Sequence, residues 1–146
     1  MISSVSYPDI ARSHCVFNDN VYKFLENRNG DLTEIKESLK NPVSDDEVIA
    51  DLFVLNNMLD EGAEVKDVWK LYPQLSKYNQ TKDPNIQTLL AGVYRKTKIP
   101  DAFGPLLVML IQNAIRQSDD TEKTQNNICT FDPNEEIGGA ILDYLA

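Results

Sequence analysis

Apolar positions along the chain recur at helical spacing, and capping chemistry stands before most of the recurrences. Leu32, Ile35 and Leu39 fall at i, i+3 and i+7, which puts them on one face of a 3.6-residue helix and predicts a short helix between Asp31 and Pro42. From Ser44 to about Glu61 the stripe widens to Val48, Ile49, Leu52, Phe53, Leu55, Met58 and Leu59, with Gly62 just past its end. A stripe of that width predicts a central core helix. Val65, Val68, Trp69 and Tyr72 predict a shorter helix interrupted at Pro73, with Leu75 and Tyr78 adding one more turn. Asp83-Pro84 reads as an N-cap followed by proline at the first helical position. It opens a helix carrying Ile86, Leu89, Leu90, Val93 and Tyr94 on one face and closing with Arg95, Lys96 and Lys98, where cations complement the helix dipole.

The two ends of the chain follow the same pattern. Ser6, Pro8 and Asp9 open a short helix towards His14, and Asp19 precedes a second one with Val21, Tyr22, Phe24 and Leu25, stopped at Asn29-Gly30. After a break at 99–104, the run Leu106 to Ile111 is apolar on all sides, which predicts a helix continuing to about Gln117 and buried all round. It is expected to pack directly against the 44–61 helix. Segment 118–130 is polar and reads as a loop. Asp132, Pro133 and Glu135 start a last helix over 133–145, docked through Ile137, Ile141, Leu142 and Leu145, in which Gly138-Gly139 implies a close helix approach.

In four places, Ser6/Asp9, Asp31/Glu34, Ser44/Glu47 and Asp132/Glu135, a side-chain acceptor stands three residues before a carboxylate. Each pair can satisfy the unpaired N–H groups of a first helical turn. No run alternates with a strand period. The expected fold is all-α: an irregular compact bundle of about six to eight short-to-medium helices, forming a single helical domain over 1–146 with a mobile loop at 118–130.

Composition narrows the class. The chain has 146 residues, 42% apolar and 25% charged, enough for one buried core without metal or disulfide staples. Its longest apolar stretch is far below the roughly 20 residues of a bilayer span. The start at Met1–Ile10 lacks a basic segment followed by an apolar one, so the expected location is intracellular and cytoplasmic. Cys15 and Cys129 are too distant in sequence for a thiol motif and have no ligand-spaced histidine beside them.

Charge changes the picture more than composition does. The net charge of −9 is striped: residues 31–65 carry ten acids and two bases, 66–98 two acids and seven bases, and 99–146 eight acids and two bases. Such a surface can steer and orient a complementary partner. Chemistry, by contrast, has few carriers. His14 is the sole imidazole, and the neighbouring Cys15 side chain would point elsewhere. Asp51 is the most interesting acid because it lies inside the apolar 48–59 stripe, yet a helical wheel lets it sit on the polar edge beside Glu47. Neither Asp60, Glu61 and Glu64 nor Asp119, Asp120 and Glu122 has the ligand order of a calcium loop. No cofactor or metal site is expected.

Three functions remain. The first is a non-enzymatic acidic protein that binds another protein, as an inhibitor, immunity factor, chaperone or adaptor does, with Asp45, Asp46, Glu47, Asp60, Glu61, Glu64, Trp69 and Tyr72 as the contact residues and room for a second copy of the chain. The second is a small helical hydrolase working with two carboxylates in different environments. The third is a nucleic-acid-binding module using Lys66, Lys70, Lys77, Lys82, Arg95, Lys96 and Lys98 with interleaved aromatics. The acidic blocks that would repel phosphate weigh against the third.

Overall fold

Helix caps decide where each element begins. In the computed structural model, which describes residues 6–14, 17–109 and 111, α1 spans Tyr7–His14, α2 Asp19–Glu26, α3 Leu32–Lys40 and α4 Asp45–Asp60. Then follow α5 (Val65–Trp69), α6 (Tyr72–Leu75) running into a 3₁₀ turn at Ser76–Tyr78, α7 (Pro84–Thr97), a second 3₁₀ turn at Pro100–Ala102, and helical residues 103–109. The fold is an all-α bundle of short-to-medium helices, with no strand among the described residues.

Asp31 Oδ1 accepts from the Thr33 N–H at 2.9 Å, and Asp83 Oδ1 from those of Asn85 and Ile86 at 2.9 and 3.3 Å. For α2 the cap is Asn18, one residue before Asp19; its side chain accepts from Asn20 and Val21. Ser44 makes no side-chain cap bond. Glu47 instead reaches back past it to the Val43 N–H at 2.8 Å, so a carboxylate still serves the entrance of α4. The exit is a Schellman motif: Gly62, at φ +102°, and Ala63 donate to the Leu59 and Met58 carbonyls, an arrangement in which glycine holds the left-handed position without a Cβ clash.

α4 and α7 are the helices most enclosed: nine consecutive residues of α4, Val48 to Asn56, and ten of α7, Asn85 to Tyr94, are buried. The most extensive interface of α4 among the described elements is with α7, followed by α2 and then α3. The expected pairing of α4 with 105–117 falls for the most part outside the described residues. α7 comes close to α4 at Gly92: a Cβ there would stand 2.5 Å from Asn56 Oδ1.

The all-round burial expected of Leu106–Ile111 is not found. Leu106 and Met109 are buried, whereas Val108 and Ile111 are exposed, so this helix presents one face to the core. Pro73 also differs from expectation. It lies in the first turn of α6, where a missing N–H costs nothing, and so starts a helix where an interruption was expected. The 118–130 loop, the 133–145 helix, Cys15, Cys129 and the side chain of His14 lie outside the described residues. Among the described residues no helix is long and apolar enough to cross a membrane.

Candidate functional site

Length separates the predicted contact residues into two groups. Asp45 and Asp60 are the first and last residues of α4, about 22 Å apart at 1.5 Å per residue. At the N-terminal end only Asp45 is fully given over to solvent. Asp46 accepts from the Asn18 and Asn20 side-chain amides at 3.0 and 3.4 Å, which fixes the start of α2 to the start of α4. Glu47 turns inward.

The group that sequence reasoning missed is centred on Arg28, just beyond the end of α2. Its Nε donates to Asp51 Oδ1 at 2.7 Å, and its Nη2 to Glu47 Oε2 at 2.6 Å and Ser38 Oγ at 3.0 Å. The Ser38 hydroxyl in turn donates to Asp51 Oδ2. Asp51 therefore does not occupy a solvated polar edge: it is wholly buried, with both oxygens engaged, while the Arg28 and Glu47 side chains are 7% and 12% exposed. Burial pushes the Asp51 carboxyl up to about 6; Ser38 and Arg28 pull it back, and the Glu47 charge adds to the rise. Glu47 is held below the usual carboxylate range by its bonds to Val43 and Arg28, which outweigh partial burial. The raised and lowered pair is the electrostatic arrangement a two-carboxylate hydrolase needs. Here, however, the pair is closed over by its own hydrogen bonds. The groove of about 210 Å³ between α3 and α5 is lined by Leu32, Thr33, Lys36, Asp67, Lys70 and Leu71, and no member of the cluster reaches it.

The C-terminal end of α4 is different. Asp60, Glu61 and Glu64 are exposed, and Asp60 meets Lys96 at 3.2 Å. Val65 and Trp69, one turn apart on α5, are each 37% exposed. The Trp69 indole N–H donates to the Thr97 carbonyl at 2.8 Å, so the ring is fastened to α7 while part of its face stays open. Tyr72 is half-buried, its hydroxyl donating to the Asp101 carbonyl and its ring tilted against Tyr94.

The basic segment does not assemble into a stacking platform. Tyr94 is fully buried, and Tyr78 is half-buried with its hydroxyl donating to the Leu39 carbonyl. Lys77 donates to the Lys40 carbonyl, Lys70 lies beside Asp67, and Lys96 is turned to Asn56 and Asp60. Among the described residues no group of three His, Cys, Asp or Glu side chains could hold a metal ion. Compared with family models, curated proteins and solved structures, the chain finds no match.

Proposed function

We propose that the protein works by binding another protein, through the edge formed by Glu61, Glu64, Val65 and Trp69. The observation that supports this reading is Trp69, an aromatic left partly open to solvent while its polar atom is already satisfied internally. A ring held in place contributes contact area to a partner with little ordering cost, and tryptophan is the residue most enriched among the few that carry interface energy. Val65 extends the apolar strip. Glu61 and Glu64 give it an acidic rim, which favours a partner with a basic border and adds to the association rate. Asp45, Asp46 and Glu47, at the far end of α4, are not part of this edge.

Trp69 is also the only tryptophan in the chain, so its fluorescence reports on the edge alone. A partner recovered from native extract by the unmodified protein should shift that emission on titration. Its affinity should fall by roughly 2 kcal/mol or more with Trp69→Ala and also with Val65→Asp, in variants whose helical circular dichroism is unchanged. A partner bound equally well by both folded variants, without an emission shift, would remove this edge from the interface.

A further inference from the structure

Two carboxylates share one guanidinium where α2, α3 and α4 meet. Counting Arg28 against Asp51 and Glu47 leaves one excess negative charge around a side chain with no exposed surface. The other groups beside Asp51 are neutral: the Ser38 hydroxyl from α3 and the Tyr78 hydroxyl from the 3₁₀ turn, which donates to the Leu39 carbonyl. Lys77, over the Tyr78 ring, is engaged elsewhere and donates to the Lys40 carbonyl. A buried site one cation short takes up a proton more readily than it keeps an uncompensated charge.

We propose that this junction is a proton-sensitive latch: mild acidification places one proton on the Asp51 carboxyl, along its line to Ser38 Oγ, and leaves Arg28 and Glu47 as a neutral couple. The step breaks no covalent bond other than the one that released the proton from water. Its consequence is that α2 and α3 are tied to α4 more firmly in mild acid than at neutral pH.

The direction follows from linkage. Asp51 binds its proton more tightly in the folded chain, up to about 6 against an ordinary 3.8. Its contribution is fully present below the unfolded value and is lost as pH rises through about 6. Glu47 acts in the opposite sense, since its lowered value favours the fold above the ordinary carboxylate range and loses that effect as pH falls. The junction is therefore tightest in the interval between the two titrations.

The test is a ¹³C NMR titration of the carboxyl carbons in the full chain. The Asp51 resonance should titrate near pH 6, and Glu47→Gln should lower that midpoint by removing the excess charge. Urea unfolding from pH 7.5 to 4 supplies the second arm. The unfolding equilibrium constant of the unmodified protein relative to Asp51→Asn should fall by up to about tenfold per pH unit between pH 6 and 4 and stay level above pH 7. An Asp51 midpoint below 4.5, a titration near 6 that belongs to Glu47, or parallel pH profiles for the two proteins would overturn the proposal. If Asp51→Asn does not fold, the NMR titration of the unmodified chain decides alone.

Discussion

α4 buries polar groups on two of its flanks, and the two junctions are built by different rules. Towards α2 and α3 it presents Glu47 and Asp51 to Arg28. Towards α7 it presents the amide of Asn56, whose Nδ2 donates to the Leu52 and Leu89 carbonyls at 2.9 and 3.0 Å and whose Oδ1 accepts from Lys96 Nζ at 2.9 Å. The amide junction fills donor and acceptor capacity without burying a net charge, because the Lys96 head also reaches Asp60 at the surface. What it requires is space, which Gly92 provides. What the charged junction lacks is charge balance. One is vulnerable to an added methyl group, the other to an altered charge.

Removing the cation should therefore have the largest effect. Arg28→Ala leaves two enclosed carboxylates with only Ser38 and the Val43 N–H to satisfy them, and breaking a buried pair from one side typically costs about 3–5 kcal/mol. Chemical denaturation at pH 7 measures it. The loss should shrink towards pH 5, as Asp51 takes a proton in place of its lost partner; a loss independent of pH would mean that the cluster is not short of positive charge.

Second in size is the amide junction. Gly92→Ala drives a methyl group against Asn56 Oδ1, an atom held by Lys96 within a side chain bonded to two carbonyls, and overpacking of this kind costs about 1–3 kcal/mol. Asn56→Ala removes the obstacle along with the bonds. The cost of Gly92→Ala should then be markedly smaller in the Asn56→Ala background than alone, a non-additivity read from a double-mutant cycle. Additive losses would show that Gly92 serves something other than clearance for this amide.

The contrast between the junctions also explains what the sequence disclosed. Capping and periodicity act within a few residues, and they located α3, α4 and α7 closely: Asp31 and Asp83 cap as read, and Gly62 closes α4 in the left-handed conformation. The same chemistry was legible at Ser44 only as a pattern, because Glu47 spends one oxygen on the Val43 N–H and the other on Arg28. Arg28 itself carried no local signal. Its partners lie 10 to 23 residues away, a separation that only packing brings together. Asp51 did carry one, as an acid within an apolar stripe. A wheel drawn for α4 alone makes its edge polar, and only the arrival of Arg28 and Ser38 turns that edge inward. Gly92 was likewise silent, since a glycine within a helical pattern does not disclose which neighbour needs the room. Leu106–Ile111 misled for a related reason: an apolar run states which residues favour burial and leaves unsaid how many faces the neighbours cover, and here Val108 and Ile111 remain exposed.

The smallest expected effect concerns Asp45, which stands beside the charged junction without joining its hydrogen bonds. It is exposed at the first position of α4, where a carboxylate gains a few tenths of a kcal/mol from the helix dipole and a lysine forfeits it. Asp45→Lys should therefore change unfolding free energy by no more than about 0.5 kcal/mol at moderate salt, within the usual range for surface substitutions. It should also leave partner affinity unchanged, because the proposed contact edge lies about 22 Å away at the other end of the helix. Its neighbour Glu47 offers the control, since Glu47→Lys sets a second cation against Arg28 and should destabilise several-fold more. If Asp45→Lys weakened partner binding while the folded state kept its stability, the contact surface would belong to the N-terminal end of α4, and the Trp69 edge would lose its claim.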